Sequence, residues 1–505
     1  MNSGEPLDSL VECPDKPMSG KEGQEIIQRQ SDYPIVSEKP VKAGGEKGIA
    51  VMRRADKDTP ARLRTGTRGE TKLAALTRRA RENPQERFTS LAHLLTEGFL
   101  AECFQELKRD RASGVDGVSV GTYEANLAEN LKDLVRRLKA KSYKPQPVRR
   151  VYIPKGDGRM RGLGIPTVED KIVQMGVKKI LEAICEVDFI EGVSYGFRPG
   201  KSCHDALDAL DKGMMRQPVN YVVDMDIEKF FDTIDHKWMM ECLKQRVADS
   251  SLLRLIARML KAGVMEEGQV RETEQGTPQG GIISPLLANI YLHYALDLWV
   301  ERKVKKECKG YVRLIRYADD FVVCFQNEKE ARAFAEGLKE RLAKFGLRLS
   351  ESKSRLIAFG RPVWQKAVRE GGKVETFDFL GFTHYCDKTR KGAFKLGRKT
   401  ASKKFRQKMK ELNAWLKRVR NFVKLEDWWA VLRMKLVGHY RYYGISGNYP
   451  ALKKFYKYAF WLAYKWINRR SQKWSMNFAK YLRFLEFNPL PQPKIYHTLY
   501  ALSTS

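Results

Sequence analysis

The sequence lacks long hydrophobic runs and has few cysteines, and both absences narrow the class of protein. No apolar stretch approaches the ~20 residues of a membrane-spanning helix, which excludes an integral membrane protein. The eight cysteines are scattered without a CxxC pair, which argues against a zinc module or a disulfide framework and favours a reducing compartment. The N-terminal stretch is acidic and polar, unlike a secretory signal or an Arg-rich transit peptide. We therefore expect a soluble, intracellular protein, in a bacterial cytoplasm or alternatively in an organelle.

Acidic residues are scarce in one late segment, and most of the positive charge lies there. The chain has 93 Lys and Arg against 61 Asp and Glu, a formal net charge of +32, and residues 388–480 hold 26 cations and 3 anions. Six of the nine tryptophans fall in this segment, and Trp415, Val419 and Phe422 are spaced as on one helix face. The pattern fits a helical bundle with a solvated basic face and an aromatic core. Because unopposed cations repel one another, we favour a surface for folded RNA, with DNA still open.

The beginning of the chain has a different composition. Residues 1–60 hold 9 cations and 11 anions, with many Gly, Pro and Ser and no helical or strand periodicity. Such a segment cannot bury enough apolar surface to fold. We predict that residues 1–70 are a polar, disordered extension.

Two apolar segments in the middle of the chain carry carboxylates. Residues 221–227 include Asp224 and Asp226, and residues 317–320 (Tyr-Ala-Asp-Asp) lie between β-branched runs that predict a hairpin with the acids at its tip. Adjacent carboxylates beside apolar strands need a compensating cation, and Mg²⁺ prefers such oxygens. Three carboxylates can hold two ions about 4 Å apart. Spacing does not decide between Asp224 and Asp226 as a metal ligand, since residues i and i+2 share a strand face. For residues 317–320, a turn with ordinary Asp residues stays open as the alternative to a metal site.

Five further blocks surround these acids, and their order is far more specific than any one of them. They are Tyr-Ile-Pro-Lys-Gly-Asp-Gly-Arg-Met-Arg-Gly-Leu-Gly-Ile-Pro at 152–166, Gly-Phe-Arg-Pro-Gly-Lys-Ser at 196–202, Gln-Gly-Thr-Pro-Gln-Gly-Gly-Ile-Ile-Ser-Pro at 275–285, Leu-Arg-Leu-Ser-Glu-Ser-Lys at 347–353 and Phe-Asp-Phe-Leu-Gly-Phe at 377–382. With these blocks in this order, the sequence resembles the reverse transcriptases encoded by group II introns, the intron maturases. The resemblance covers roughly residues 71–500.

The resemblance implies an α+β fold shaped as a right hand. Fingers and palm, with an antiparallel sheet, would occupy residues 71–387, and an all-helical thumb, also called domain X, residues 388–490. A tail would follow at 491–505. The cysteine pairs of a DNA-binding region and an HNH-type nuclease are missing after the thumb, so we expect an endonuclease-lacking member that extends an existing 3′ end.

The resemblance also implies roles for single residues. Asp226, Asp319 and Asp320 would be catalytic and would ligate two Mg²⁺ ions, with Ile227 as a further ligand. The family pattern favours Asp226 over Asp224, because an aromatic residue follows it five positions later. That residue, Phe231, would fill the space of a ribose 2′-hydroxyl and so select deoxynucleotides. The full set of residues that would contact the incoming dNTP is Lys155, Arg161, Ile227, Phe231, Gln279 and Lys353.

Within that set the implied roles differ. Lys155 and Arg161 would hold the triphosphate, Gln279 would abut the primer and the nucleotide, and Lys353 would protonate pyrophosphate. Arg198 would line the template.

The function implied is RNA-directed DNA polymerase and maturase. Its partners would be group II intron RNA, an RNA template with a DNA primer, dNTPs and target DNA, with no membrane. Two alternatives stay open: an RNA-binding splicing factor with a vestigial polymerase site, and a reverse transcriptase with a defence or diversification role.

Overall fold

The structure is a computed structural model that describes residues 68–154, 160–271, 274–277, 280–470 and 476–499. Almost all of the predicted N-terminal extension lies outside these ranges, as do Lys155 and Gln279. Within them the chain is a mixture of helices and sheets, which confirms the α+β class at that level.

The helices are α1 (Arg68–Glu82), α2 (Glu97–Gln105), α3 (Val120–Glu124), α4 (Leu127–Lys139), α5 (Val168–Cys185), α6 (Cys203–Arg216), α7 (Phe230–Thr233), α8 (His236–Lys244), α9 (Ser250–Leu260), α10 (Ser284–Leu292), α11 (Lys305–Glu307), α12 (Glu328–Lys344), α13 (Arg361–Arg369), α14 (Ser402–Val419), α15 (Leu425–Tyr443), α16 (Tyr449–Asn468) and α17 (Phe478–Phe487). Two π-helical stretches, His293–Asp297 and Val300–Val304, continue α10, and 3₁₀ turns lie at Ala92–Leu94 and Glu351–Lys353.

The strands are β1 (Val148–Pro154), β2 (Met160–Ile165), β3 (Tyr221–Asp226), β4 (Val264–Glu266), β5 (Gln269–Arg271), β6 (Val312–Tyr317), β7 (Asp320–Phe325), β8 (Arg355–Ala358), β9 (Phe377–Phe379), β10 (Phe382–Lys388) and β11 (Phe394–Thr400). Their sheet orders are β2-β1-β4-β5, β6-β7-β3-β8 and β11-β10-β9. The second of these, the carboxylate sheet, is antiparallel throughout and carries the predicted acids.

One face of the carboxylate sheet is buried under helices. Val223 and Met225 of β3 and Phe321 and Val323 of β7 belong to the main hydrophobic core. Buried apolar residues of α8, α10 and α12 belong to the same core. Because side chains alternate along a strand, Asp224 and Asp226 project from the opposite face. The alternation therefore places the acids away from the helical layer.

Short polar side chains define where several helices begin. Thr167 accepts a hydrogen bond from the amide of Asp170 at the start of α5, and Ser202 forms a reciprocal capping box at the start of α6. Asp235 and Asp249 cap α8 and α9. Each cap pairs amides that have no partner within the helix itself.

The contacts divide the chain into two units, with the boundary between Gly397 and Arg398. The first helix of the later unit begins at Ser402, after strand β11. Helices α14 to α17 make up most of its described part, as the periodicity predicts for a helical bundle.

The tryptophans of the later unit are mainly core residues. Trp415, Trp428, Trp429 and Trp466 are buried, whereas Trp461 is 55% exposed. The aromatic residues of this segment therefore stabilise the bundle first, and Trp461 on α16 presents a ring to solvent. Trp474 lies outside the described residues.

Among the helices of the described ranges, none combines the length and the apolar character needed to cross a bilayer.

Asp249 connects two parts of the first unit. Its carboxylate accepts hydrogen bonds from the amides of Leu91 and Ala92 at 2.7 and 2.8 Å, and from Ser251 and Leu252 at 2.8 and 3.1 Å. Burial opposes ionisation, but these four bonds outweigh it and hold the pKa of Asp249 below its ordinary value.

We predict that Asp249→Ala lowers the free energy of unfolding by about 2–3 kcal/mol at neutral pH, because it removes a cap and leaves buried amides unpaired. Since the folded pKa is lowered, this contribution is full above the ordinary pKa of the carboxyl and is lost as the pH falls through the folded value. Denaturant titrations of both proteins across acidic pH measure the shrinking difference. Glu340→Ala, at an exposed position of α12, is the control. The role would be contradicted if Asp249→Ala changed the free energy of unfolding at pH 7 by less than about 0.5 kcal/mol, which is the usual range for surface substitutions.

Candidate active site

Three side chains form a row across the carboxylate sheet. Asp226 of β3 lies directly opposite Asp320 of β7, and Asp320 lies opposite Tyr317 of β6. Directly paired residues of antiparallel strands project from the same face, with Cβ atoms roughly 4.5–5.5 Å apart. Asp319 lies in the turn between β6 and β7. The structure thus confirms the predicted hairpin and brings the three acids together at one end of the sheet.

The carboxylates carry more negative charge than their surroundings neutralise. Asp320 is exposed as a residue, but the protein around its carboxyl group reduces the hydration of that group. This desolvation, followed by the charges of Asp224 and Asp319, raises the pKa of Asp320 to about 7. Burial also raises the pKa of Asp319, with Asp226 adding to the shift and Arg161 opposing it. These neighbours therefore favour binding of a positively charged group.

Asp224 and Asp226 share this face but differ in their surroundings. The Asp226 side chain is 36% exposed and its carboxylate forms an ion pair with the Lys353 ammonium. The Asp224 side chain is 17% exposed and faces Arg355 at 3.5 Å. Burial raises the pKa of Asp224 to about 6 against the opposing charge of Arg355. Asp226 lies in the row with Asp320, whereas Asp224 is paired with Val322, two residue pairs further from the turn.

The donor types at this end of the sheet suit a divalent cation. Within the described ranges, no group of three or more acidic, histidine or cysteine side chains is arranged so that it could hold a metal ion. The carboxylates of Asp226, Asp319 and Asp320 nevertheless supply the oxygen ligands that Mg²⁺ prefers. Desolvation first, and then the charges of Asp224 and Asp319, raise the pKa of Asp320, and a bound cation would favour its ionised form. By donor type and by charge, the residues fit such an ion.

A buried arginine supports the turn that carries Asp319. Arg316 has no exposed surface, and its Nε donates to Asp297 Oδ1 at 2.7 Å. Its Nη1 donates to Asn289 Oδ1 at 2.9 Å and to the carbonyl oxygen of Ala318 at 3.0 Å. Asn289 belongs to α10, and Asp297 belongs to its π-helical continuation. One side chain therefore connects the helical layer to the turn.

The turn itself is held in an uncommon conformation. Ala318 has a φ of +57°, in the left-handed region that residues with a Cβ rarely adopt. The neighbouring segment approaches so closely that a Cβ built on Gly196 would lie 2.4 Å from the Ala318 nitrogen. Asn289 Nδ2 donates to the Gly196 carbonyl oxygen at 2.6 Å. Only glycine fits at position 196, and the same asparagine fixes both sides of this contact.

Phe231 follows Asp226 in a short helical turn. Its side chain is half-buried, with its ring centroid 5.5 Å from that of Phe230. The Thr277 amide donates to the Phe231 carbonyl oxygen at 2.8 Å. Ile227, in contrast, is 3% exposed and belongs to the hydrophobic core, so its side chain offers nothing to a ligand.

The other predicted nucleotide contacts are described in part. Arg161, on β2, is exposed and close enough to Asp319 to oppose the rise of its pKa. Lys155 and Gln279 lie outside the described residues. The glycine after Gln279, Gly280, has a φ of +113°, and a Cβ on it would lie 2.6 Å from the Gly164 carbonyl oxygen. This glycine therefore permits a close approach to β2.

The prediction that Arg198 lines the template is wrong. Its side chain is 6% exposed, and Nε and Nη2 donate to one Glu186 carboxylate oxygen at 3.0 and 2.8 Å. Nη1 donates to the Ser194 carbonyl oxygen at 2.7 Å, and the guanidinium lies over the Phe189 ring. Arg198 is therefore an internal anchor of the segment before α6.

Sequence reasoning missed the residues that surround the acids from distant segments. Asp378 of β9 adds to the negative charge near Asp224, and the Leu380 backbone amide donates a hydrogen bond to Asp320. Asn289 and Asp297 were also missed. Asn289 and Asp297 inside the mainly apolar run that begins at Ser284 were the available signal, because buried polar groups need partners.

Comparison with known proteins places this site in a family context. The family model described as "Reverse transcriptase (RNA-dependent DNA polymerase)" matches residues 153–384. "Group II intron-encoded protein LtrA" of Lactococcus lactis subsp. cremoris is 32% identical over 369 residues, 60% of this chain and 61% of that protein. "Protein YkfC" of Escherichia coli (strain K12) is 34% identical over 335 residues, 58% of this chain and 87% of that protein.

A fungal relative extends the comparison. "Uncharacterized 91 kDa protein in cob intron" of Schizosaccharomyces pombe is 33% identical over 243 residues, 47% of this chain and 30% of that protein. The chain spans about three-fifths of the length of LtrA and most of the length of YkfC. From these matches, the chain belongs to the reverse transcriptase family, within its group II intron-encoded reverse transcriptases and maturases.

Proposed function

We propose that this protein is an RNA-directed DNA polymerase that also binds the group II intron RNA that encodes it, assists its splicing and copies it into DNA during intron mobility. The observation that carries the proposal is the row of Asp226 and Asp320 with Asp319 in the adjoining turn. This row lies inside the segment that the reverse transcriptase model matches.

In this proposal Asp226, Asp319 and Asp320 are the metal ligands. Ile227 would contribute through its backbone carbonyl, since its side chain is buried hydrocarbon. Two Mg²⁺ ions, when bound, would lower the pKa of a primer 3′-hydroxyl and neutralise charge on the pyrophosphate leaving group. Lys353 would exchange its contact with Asp226 for the pyrophosphate and donate a proton to it.

The nucleotide would be held from the side of β2. Arg161 is exposed and close enough to Asp319 to lower its pKa, and a guanidinium can bind triphosphate oxygens in bidentate fashion. Lys155 and Gln279 complete the proposed contacts, and Phe231 would exclude a 2′-hydroxyl. The RNA template, the DNA primer and, during mobility, the target DNA would lie along the same face.

A right-hand arrangement follows from this assignment. Residues 71–387 would form fingers and palm, and 388–490 the thumb that grips intron RNA. Support comes from the charge of the later segment and from α16, where Lys457, Trp461 and Lys465 are exposed at i, i+4 and i+8. A ring between two cations suits a base stacked beside phosphates.

We predict that Asp319→Ala abolishes DNA synthesis on poly(rA)/oligo(dT), lowering kcat by about 10³-fold or more, because a metal ligand is worth several kcal/mol. RNA binding should stay within about twofold in a filter assay. Asp226→Asn should lose as much activity, and Asp224→Asn less than about tenfold. Normal extension by Asp319→Ala would refute the catalytic assignment. Equal losses for Asp224→Asn and Asp226→Asn would reopen the choice between them.

We predict that Phe231→Val weakens discrimination against ribonucleotides. Removing the ring opens space for a 2′-hydroxyl, so the ratio of kcat/KM for rGTP to that for dGTP should rise on the order of tenfold or more. Single-nucleotide incorporation measures this ratio. Phe231→Tyr keeps the ring and is the matched control. An unchanged ratio for the valine variant would remove Phe231 from the sugar pocket.

We predict that the double change Lys457→Ala with Lys465→Ala weakens intron RNA binding and flattens its salt dependence. Each lost phosphate contact should reduce the slope of log affinity against log salt by about 0.7–0.9. Lys339→Ala, a cation of α12 paired with Glu336, should leave the slope unchanged. The same slope for the double variant and the wild type would exclude this face of α16 from the RNA interface.

A further inference from the structure

Phe197 is strained and exposed at the same time. Its φ is +55°, in the left-handed region, and its side chain is 52% exposed. A bulky L-residue in this conformation is strained, because its Cβ lies too close to a neighbouring carbonyl oxygen. Burial offsets little of that strain for a side chain that is half in solvent. Strain of this kind persists where the surrounding structure determines the backbone, and it is concentrated at functional sites.

The backbone on both sides of Phe197 is fixed. The Arg316 amide donates to the Val193 carbonyl oxygen at 2.8 Å, and the Tyr195 amide donates to the Arg316 carbonyl oxygen at 2.9 Å. Gly196 is held by Asn289 and lies against Ala318. The segment before Phe197 thus runs beside β6 as a further extended neighbour.

The residue after Phe197 is anchored equally well. The Arg198 side chain is buried and donates hydrogen bonds to Glu186 and to the Ser194 carbonyl oxygen. Phe197 therefore has no backbone freedom of its own, and its ring is presented outward between two fixed residues.

The ring continues the row of functional side chains. Its centroid lies 6.4 Å from that of Tyr317, with the rings inclined at 39°. Tyr317 is opposite Asp320, and Asp320 is opposite Asp226. Phe197 and Tyr317 therefore form an aromatic pair at the β6 side of the acids. Tyr317 and Asp226 are separated by about two strand spacings of 4.8 Å.

We propose that Phe197, together with Tyr317, contacts the nucleic acid that occupies the active site, with the pair packing against the base or sugar of a nucleotide beside the acid turn, residues 317–320. This inference rests on the proposed polymerase function. A polymerase must accept every base, and an aromatic face does so because each base has a face on which a ring can stack. The strain at Phe197 is maintained because the ring must stand in this position.

The first test separates binding from folding by the sign of two effects. Phe197→Gly relieves the positive φ, so the melting midpoint should stay the same or rise. The same variant should raise the Kd for an RNA template annealed to a DNA primer by roughly fivefold or more, the scale of one lost stacking contact. Phe197→Tyr should restore the affinity. A lower midpoint together with an unchanged Kd would show that the ring serves packing, and would overturn the proposal.

A matched control relieves the same strain elsewhere. Lys141 follows α4 with a φ of +58° and is exposed. Lys141→Gly should raise the melting midpoint and leave the Kd unchanged. A Kd that rises in this variant as it does in Phe197→Gly would assign the loss to relieved strain in general, and would also overturn the proposal.

The second test identifies the strand. With p-benzoylphenylalanine at position 197, irradiation should cross-link the protein to either the labelled primer or the labelled template, and the labelled strand tells which nucleotide source Phe197 contacts. No cross-link to either strand would refute the contact. Wild-type primer extension is measured in parallel: absence of DNA synthesis there would refute the proposed function, whereas normal synthesis without a cross-link would refute only this inference.

Discussion

The geometry of the acid turn depends on one buried ion pair. Arg316 and Asp297 are both fully buried, and together they fix the arginine so that its remaining donors reach Asn289 and Ala318. Removing one partner of such a pair leaves an uncompensated buried charge, at a cost of about 3–5 kcal/mol. The acids need a rigid support because their mutual repulsion favours separation. The pair supplies that support from the side of the sheet that solvent does not reach.

Much of the fold and of the site was predictable from local pattern. The apolar runs on either side of residues 317–320 predicted a hairpin, and β6 and β7 form it. Alternation along residues 221–227 placed two acids on one face, as the structure has them. What pattern could not supply was the choice between these acids, because that depends on register: Asp226, and not Asp224, is opposite Asp320. Register is a long-range property that spacing within one strand does not carry.

The support of the turn was beyond prediction for a related reason. Asn289 and Asp297 are eight residues apart, which in a regular α-helix places them about 80° apart around the axis. The π-helical stretch His293–Asp297 adds one residue to a helical turn, so the eight-residue interval covers about the same rotation as seven residues of α-helix. Both side chains therefore reach Arg316. Arg198 failed as a prediction because its motif gave no hint of Glu186. In the later unit, helical spacing identified Trp415 correctly as a bundle position, and the structure assigns it to the core.

The order of strands in the carboxylate sheet has a consequence for synthesis of the chain. β3 is an inner strand, and both of its neighbours, β7 and β8, come from segments around a hundred or more residues later. At about 5–20 residues per second, a ribosome leaves β3 without its sheet partners for on the order of ten seconds. The row of Asp226 and Asp320 thus cannot assemble on a nascent chain until β7 has emerged, and the sheet is not complete until β8 follows. An unpaired apolar strand is a hazard for association with other chains during that interval.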